Sequence, residues 1–255
     1  MKMSELVQKY LKQASGSYKY QLSVGSVLRE AIVILSNPDV SLIDTVMIDE
    51  YTASISPKLQ PSSVNRKLTN VHSLLKYAHD RDMIVKMPKF SWGKEDNERV
   101  RWLSDEEQDT LLSILNPEFS AFCELLIHTG MRRGELLYIN KDNVDGNYIR
   151  LWKTKTGKAR SVPLSKRAQE LVEAHVPFNL TEQQCTTMWN KAKKQMGLEH
   201  DNDFVLHTLR HTTATRMLKR TGNIALVQRM LGHSKITTTM RYAHIADDQL
   251  LAAVQ

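Results

Sequence analysis

Cysteine is nearly absent from this chain of 255 residues, which holds only Cys123 and Cys185. Each lies in an apolar helical pattern, so both are expected to be buried packing residues and not a disulfide or a metal site, which suits a reducing compartment. Long apolar runs are lacking too. No stretch approaches the roughly 20 apolar residues needed to cross a bilayer. The opening Met1-Lys2-Met3-Ser4-Glu5 leads into mixed polar and apolar sequence, unlike a secretory signal. These absences point to a soluble, cytoplasmic protein with no membrane partner. Neither a Gly-x-x-x-x-Gly-Lys-Ser/Thr phosphate loop nor an acidic cluster at metal-ligand spacing occurs, so no ATP, metal or other cofactor is expected. His207, His211, His233 and His244 invite a zinc assignment, but no cysteine or carboxylate recurs beside them. His211 is expected to pack or hydrogen-bond within its own helix.

What is present is a moderate basic excess, with a formal charge of +7 and a pI near 9.3. It is compatible with nucleic-acid binding and equally with proteins that bind none. The length suffices for one large domain or two modest ones. The pattern is mainly α with a small β-hairpin or sheet. Residues 1–90 read as helical throughout, with apolar stripes through Leu6, Val7, Tyr10 and Leu11, and through Val24 to Leu35. Ser41 to Ser54 reads as a third helix, and Pro57 and Pro61 punctuate the loop after it. Ser62 or Ser63 can then cap a helix with Val64, Leu68, Val71, Leu74, Leu75 and Ala78 on one stripe. Arg66, Lys67 and Lys76 interleave with that stripe.

The polar stretch 91–101 reads as an interdomain linker, leaving 102–255 as a second domain. Ser104 to Glu107 is a capping box, Pro117 can open the next helix, and Thr129-Gly130 can close it. A short helix is expected around Arg132 to Ile139. Tyr148 to Trp152 and Ala159 to Leu164 read as two strands around a polar turn, 153–158. Helices resume from Ser165, with a capping box at Thr181 to Gln184. Ile245 to Val254 reads as a short amphipathic helix that docks either on its own domain or on a neighbouring copy.

Four segments carry chemistry-bearing residues. In Thr129-Gly130-Met131-Arg132-Arg133-Gly134-Glu135-Leu136, glycine permits a tight turn and Arg132 stands at a helix start, where a cation and free amides can face an anion. Glu135, three residues on, can hold that guanidinium. Lys155 sits in the hairpin turn with Lys158 close by. His207-Thr208-Leu209-Arg210-His211 puts His207 and Arg210 on one face. The fourth segment is the long Leu231-Gly232-His233-Ser234-Lys235-Ile236-Thr237-Thr238-Thr239-Met240-Arg241-Tyr242-Ala243-His244, for which no structural need is evident.

Together these segments resemble the tyrosine recombinase, or phage integrase, family. The matching features are Thr-Gly-x-Arg-x-x-Glu-Leu, a hairpin lysine before Arg-x-Val-Pro-Leu, His-x-x-Arg-His, Leu-Gly-His-Ser and Thr-Thr-x-x-Tyr-x-His, in the family's order. The match spans about residues 100 to 245. The resemblance implies a helical core-type DNA-binding domain over 1–90 and a mixed α+β catalytic domain over 102–255. It implies Tyr242 as the nucleophile, assisted by Arg132, Lys155, His207, Arg210 and His233, with Lys158 the competitor for Lys155. Glu135 and His244 would support them.

The implied activity is site-specific recombination through a covalent 3′-phosphotyrosine. Double-stranded DNA with core-type sites would be the partner. The free protein would be a monomer that forms a homo-tetramer on paired sites, with accessory DNA-bending proteins as further partners. Arg66, Lys67 and Lys76 are expected near DNA. A relaxing enzyme of the type IB topoisomerase kind is the alternative, and a non-catalytic DNA-binding protein a third reading. The helical pattern begins almost at Met1, so the chain either uses core-type sites only or is part of a longer protein that also binds distant arm sites.

Overall fold

The computed structural model describes residues 1–13, 18–95, 100–152 and 159–246. The chain divides into two units, Met1–Asp96 and Asn97–Gln255, each with its own core. It is mostly helical with one small sheet.

In the first unit, helices α1 (Met3–Gln13), α2 (Tyr18–Ile34), α3 (Thr45–Ile55) and α4 (Pro61–His79) pack on one another. The expected α4 stripe is buried, with Leu68, Val71, Leu74, Leu75 and Ala78 fully enclosed. Two boundaries differ from the sequence reading. The third helix starts at Thr45, because the Asp44 carboxylate accepts the Met47 amide at 3.0 Å; Val40–Leu42 forms a separate 3₁₀ turn. Pro61 opens α4 instead of preceding it, and Gln60 is the cap in place of Ser62 or Ser63. A proline fits a first helical position because the missing amide would have no helical partner there.

The ends of the stretch read as a linker are anchored. Asn65 exchanges a reciprocal pair of hydrogen bonds with Gly93, at 2.8 and 2.9 Å. Arg101 pairs with Glu107 and, at 3.0 Å, with Asp201.

The second unit contains α5 (Asp105–Ile114), α6 (Pro117–Thr129), α7 (Arg133–Leu137), three strands, α8 (Lys166–His175), α9 (Glu182–Gln195), α10 (Thr208–Thr221) and α11 (Ile224–Leu231). A 3₁₀ segment, Met240–Ala246, comes next. Helix α6 is apolar around most of its girth and lies against α5, α8 and α10, so Phe119, Phe122, Cys123, Leu125 and Leu126 are all buried. Cys123 and Cys185 are buried free thiols, and burial pushes both pKa values up. The sheet is antiparallel in the order β1 (Val144–Asp145), β2 (Tyr148–Leu151), β3 (Arg160–Pro163), with Ile149 paired to Val162 and Leu151 to Arg160. The expected hairpin is therefore the central strand and one edge of a three-stranded sheet. Its turn, 153–158, lies outside the described residues, as does the expected terminal helix from residue 247 onward.

Both capping boxes form, at Ser104/Glu107 and Thr181/Gln184. Two left-handed glycines bear on the chemistry more directly. Gly130 (φ 59°) ends α6 and Gly232 (φ 66°) ends α11. A Cβ on Gly130 would lie 2.9 Å from Leu231 Cδ2 and 3.2 Å from Thr213 Cγ2.

Gly130→Ala is expected to destabilise the chain by about 1–2 kcal/mol from the backbone conformation alone, with more from the crowding. A lowered urea midpoint in the full chain checks this; an unchanged midpoint contradicts it.

Candidate active site

Arg132 caps α7 in extended conformation, and its neighbour three residues on secures it twice. The Arg132 amide donates to Glu135 Oε2 at 2.8 Å and its Nη1 donates to Oε1 at 2.8 Å. The same carboxylate receives a second guanidinium. Arg160, from β3, donates Nη1 and Nη2 to the two oxygens at 2.8 and 2.7 Å. Burial alone would raise the Glu135 carboxyl, but the bonds from Arg160 and Arg132 prevail and hold its pKa at about 2. Sequence reasoning anticipated the Arg132–Glu135 pair and missed Arg160. A signal was available: Arg160 shares a strand face with buried Val162, and an inward-facing arginine requires a buried partner.

Arg160 is also held from the other side. A Cβ on Gly232 would lie 2.6 Å from Arg160 Cδ, so only glycine allows the end of α11 to approach so closely.

Arg210 is the largest fully buried side chain, 2% exposed. Its Nη1 donates to the Gly130 carbonyl and its Nη2 to the Leu231 carbonyl, both at 2.6 Å. These are the C-terminal ends of α6 and α11, where helix dipoles favour a cation. Burial, then the charges of Arg132 and Arg160, lower its pKa to about 9, which leaves it a cation at neutral pH.

Three imidazoles share this field. His207 caps α10 and is solvent-exposed as a residue; desolvation by its surroundings and the charges of Arg210, Arg132 and Arg241 push its pKa down. His233 comes just after the α11 cap, and its Nδ1 lies 2.9 Å from the buried Thr239 hydroxyl. Burial and then Arg210 and Arg132 lower it to about 4. His211 packs against His207 one turn earlier, in keeping with the packing expected within its helix, but its side-chain hydrogen bond reaches across to another element. Its Nδ1 lies 2.6 Å from Tyr242 Oη. Burial, then His207, Arg241 and Arg210, lower its pKa to about 3, so the ring is neutral, and in its Nε2–H tautomer Nδ1 accepts from the phenol.

Tyr242 is 1% exposed, within a cluster of Val100, Ala214, Leu218, Val227 and Leu231. It belongs to the 3₁₀ segment and not to an α-helix. Burial raises its pKa, while Arg241 and Arg210 oppose that rise.

The structure thus draws Arg132, Arg210, His207, His233, Glu135 and Tyr242 into one electrostatically coupled cluster and adds Arg160 and His211. Lys155 and Lys158 lie outside the described residues, as does the His244 side chain. In the first unit, Lys67 binds Glu30 at 2.7 Å and Lys76 binds Asp80 at 2.9 Å, while Arg66 is exposed. Among the described residues no three His, Cys, Asp or Glu side chains are grouped to hold a metal ion, and no helix is long and apolar enough to cross a membrane.

The pattern of the phage integrase family matches residues 101–249. Over 225 residues the chain is 28% identical to the integrase of Escherichia phage P2, covering 87% of this chain and 67% of that one. It is 27% identical over 222 residues to the tyrosine recombinase XerC of Staphylococcus aureus (strain bovine RF122 / ET3-1), covering 76% of this chain and 74% of the other. In fold it is similar to the Tn1549 transposon integrase solved in complex with circular intermediate DNA. The TM-score is 0.82 across 100% of this chain and 99% of that one, at 18% identity, a likeness that speaks for the fold alone.

The lowered imidazole pKa values carry a stability consequence. Below the ordinary value of 6.5, the unfolded chain takes up protons that folded His211 and His233 refuse. Stability is therefore expected to be full above about pH 7 and to fall as pH drops from about 6.5 toward 4. Thermal melts across that window check the sign. His211→Asn should flatten the slope, and a wild-type transition that rises toward pH 5 contradicts the assignment.

Proposed function

This chain belongs to the phage integrase family of tyrosine recombinases and is a site-specific DNA recombinase, a breaking-and-rejoining enzyme; we propose that it works through a covalent 3′-phosphotyrosine on Tyr242. The observation that carries this reading is the cluster itself. Arg132, Arg210, His207 and His233 come from separated segments of the chain and act on one another electrostatically, and the charge of Arg210 reaches the phenol of Tyr242, whose oxygen is bonded to His211.

Cleavage of a phosphodiester builds negative charge on the non-bridging oxygens. Arg132 and Arg210 are permanent cations with planar forks matched to phosphate oxygens. In this reading they clamp the phosphate, and His233 donates a hydrogen bond to it. Glu135, bound on its other side by Arg160, keeps Arg132 in register. A tyrosine with a raised pKa is a poor nucleophile without help in losing its proton, and His207 is assigned to accept or relay it. The departing 5′ oxygen needs a proton, and Lys155 is assigned to donate it. The phosphotyrosine keeps the energy of the broken bond, so rejoining to a new 5′ hydroxyl needs neither ATP nor a metal.

The partner is double-stranded DNA with core-type sites, supported by the Tn1549 relative's structure on circular intermediate DNA. We assign residues 1–90 to core-site binding, with Arg66 the best placed of the three basic residues there. Lys67 and Lys76 would have to exchange their carboxylates for phosphates. A monomer that assembles as a homo-tetramer on paired sites, helped by DNA-bending proteins, in the cytoplasm, completes the proposal. Integrases and Xer recombinases among the relatives favour this over a relaxing enzyme of the type IB topoisomerase kind.

Wild-type protein exposed to element or host DNA is expected to leave a denaturant-stable protein–DNA adduct, and the trapped ends identify the site. Tyr242→Phe should leave none; equal yields from both would sink the reading. Lys155→Ala should slow cleavage by about 10²–10⁴-fold, yet cut normally when sulfur replaces the bridging 5′ oxygen, because a thiolate leaves without a proton. If Lys158→Ala behaves this way instead, the acid is Lys158.

A further inference from the structure

His207 is the residue assigned to accept or relay the proton of Tyr242, but the ring bonded to the phenol is a different one. His211 stands one residue after Arg210 on α10, and its Nδ1 is 2.6 Å from Tyr242 Oη, within the short end of hydrogen-bond range. The two rings are 5.7 Å apart and tilted by 54°. His207 contacts His211, ring to ring at 4.9 Å in an edge-on arrangement, and lies one helical turn from it. His207 is solvent-exposed, and the hydrogen bond of the phenol goes to His211 instead.

We infer that His211 is a catalytic residue of strand transfer: it takes the phenolic proton as Tyr242 attacks and returns it when the phosphotyrosine is broken. The inference rests on Tyr242 being the nucleophile. In cleavage, a lone pair of Tyr242 Oη forms the bond to phosphorus and the phenolic proton passes to His211 Nδ1. The bond from phosphorus to the 5′ oxygen breaks, and that oxygen leaves with the electron pair and takes a proton from the lysine acid. In rejoining, the incoming 5′ hydroxyl gives its proton to that lysine and bonds to phosphorus. The bond to Oη breaks, and the phenolate recovers its proton from His211. No proton is gained or lost over the cycle.

The surroundings suit this cycle. His211 is faced by His207 and Arg210 from α10, by Arg241 and Tyr242 from the 3₁₀ segment, and by His233 from the turn after α11. No carboxylate is among these, so the ring is neutral before DNA binds, and in its Nε2–H tautomer Nδ1 presents a lone pair to the phenol. A phosphodiester held by Arg132 and Arg210 brings the negative charge that offsets those arginines, and an imidazolium becomes tolerable when the nucleophile must lose its proton. Tyr242 is enclosed by apolar side chains, so bulk water is poorly placed to do the same work.

The test uses the full chain on a nicked duplex carrying its trapped site, under single turnover with saturating protein. In His211→Asn the amide oxygen can accept the phenol's hydrogen bond but cannot take its proton. This variant is expected to form the adduct about 10²-fold more slowly near pH 7, with unchanged affinity for the duplex. Its rate should climb with pH up to about pH 9, where the wild-type rate is level. Fluorinated tyrosine at position 242, a more acidic phenol, should restore most of the loss. If His211→Asn cleaves like wild type while His211→Ala is slow, His211 only positions the ring and the inference fails. It fails equally if the slow variant keeps the wild-type pH profile and fluorination restores nothing. Should the variant not fold, fluorotyrosine in the otherwise unaltered chain decides. A rate nearly indifferent to phenol acidity supports a base at His211, and a steep gain overturns it. Adduct formation by Tyr242→Phe would instead defeat the parent reading, whatever His211 does.

Discussion

A guanidinium cannot be neutralised at working pH, so a buried one must be seated or the fold bears its full desolvation cost, several kcal/mol. Arg210 is seated on the last carbonyls of two helices, α6 and α11, that are remote in sequence. That requirement fixes much of the second unit. Both helices must stop within reach of one side chain on α10, and both do so by turning into a left-handed glycine. The Thr213 hydroxyl, bonded to the Ile127 carbonyl at 2.7 Å, draws α10 against the same end of α6. The cation and the packing of three helices are one arrangement.

The charge balance around that seat is lopsided in its effect. Arg132 and Arg160 converge on the single carboxylate of Glu135, while Arg210 is satisfied by dipoles and keeps its charge undiminished. Every imidazole nearby is pushed toward neutrality and the phenol is pulled toward ionisation by Arg241 and Arg210, against its burial. Burial first, and then the excess of positive charge, bear on the protonation state of four different side chains. That excess also describes what the site would welcome, a phosphate anion with a reacting oxygen near Tyr242.

Much of this is legible in the sequence, for local reasons. Capping boxes, Pro117 at a helix start and Gly130 at a helix end depend on neighbours a few residues away, so the chain states them directly. The same holds for Arg132 and Glu135, three apart. Motif order then supplies Arg210, His233 and Tyr242. Features that depend on long-range contact stay hidden. Arg160 stands out only as a letter in a strand motif, because its partner lies 25 residues earlier. His211 looks like a helix-packing residue, because nothing nearby in sequence announces a tyrosine 31 positions on. The strand β1 has two residues, too short to show alternation. Pro61 has the look of a breaker, yet its missing amide makes it an opener.

The seat of Arg210 is made of main-chain oxygens, and main-chain oxygens are common to every amino acid. What the seat requires is thus a glycine conformation at residue 130 and, at residue 231, a main-chain position more than a particular side chain. Replacing Leu231 by another residue that fills the same apolar cluster would leave its carbonyl where it is. A chain can in this way drift far from its relatives, as this one has at 28% identity to the phage P2 integrase, while the cation at its centre stays anchored. The durable record of that anchor is the conformation of two glycine turns, which a comparison of letters registers only indirectly.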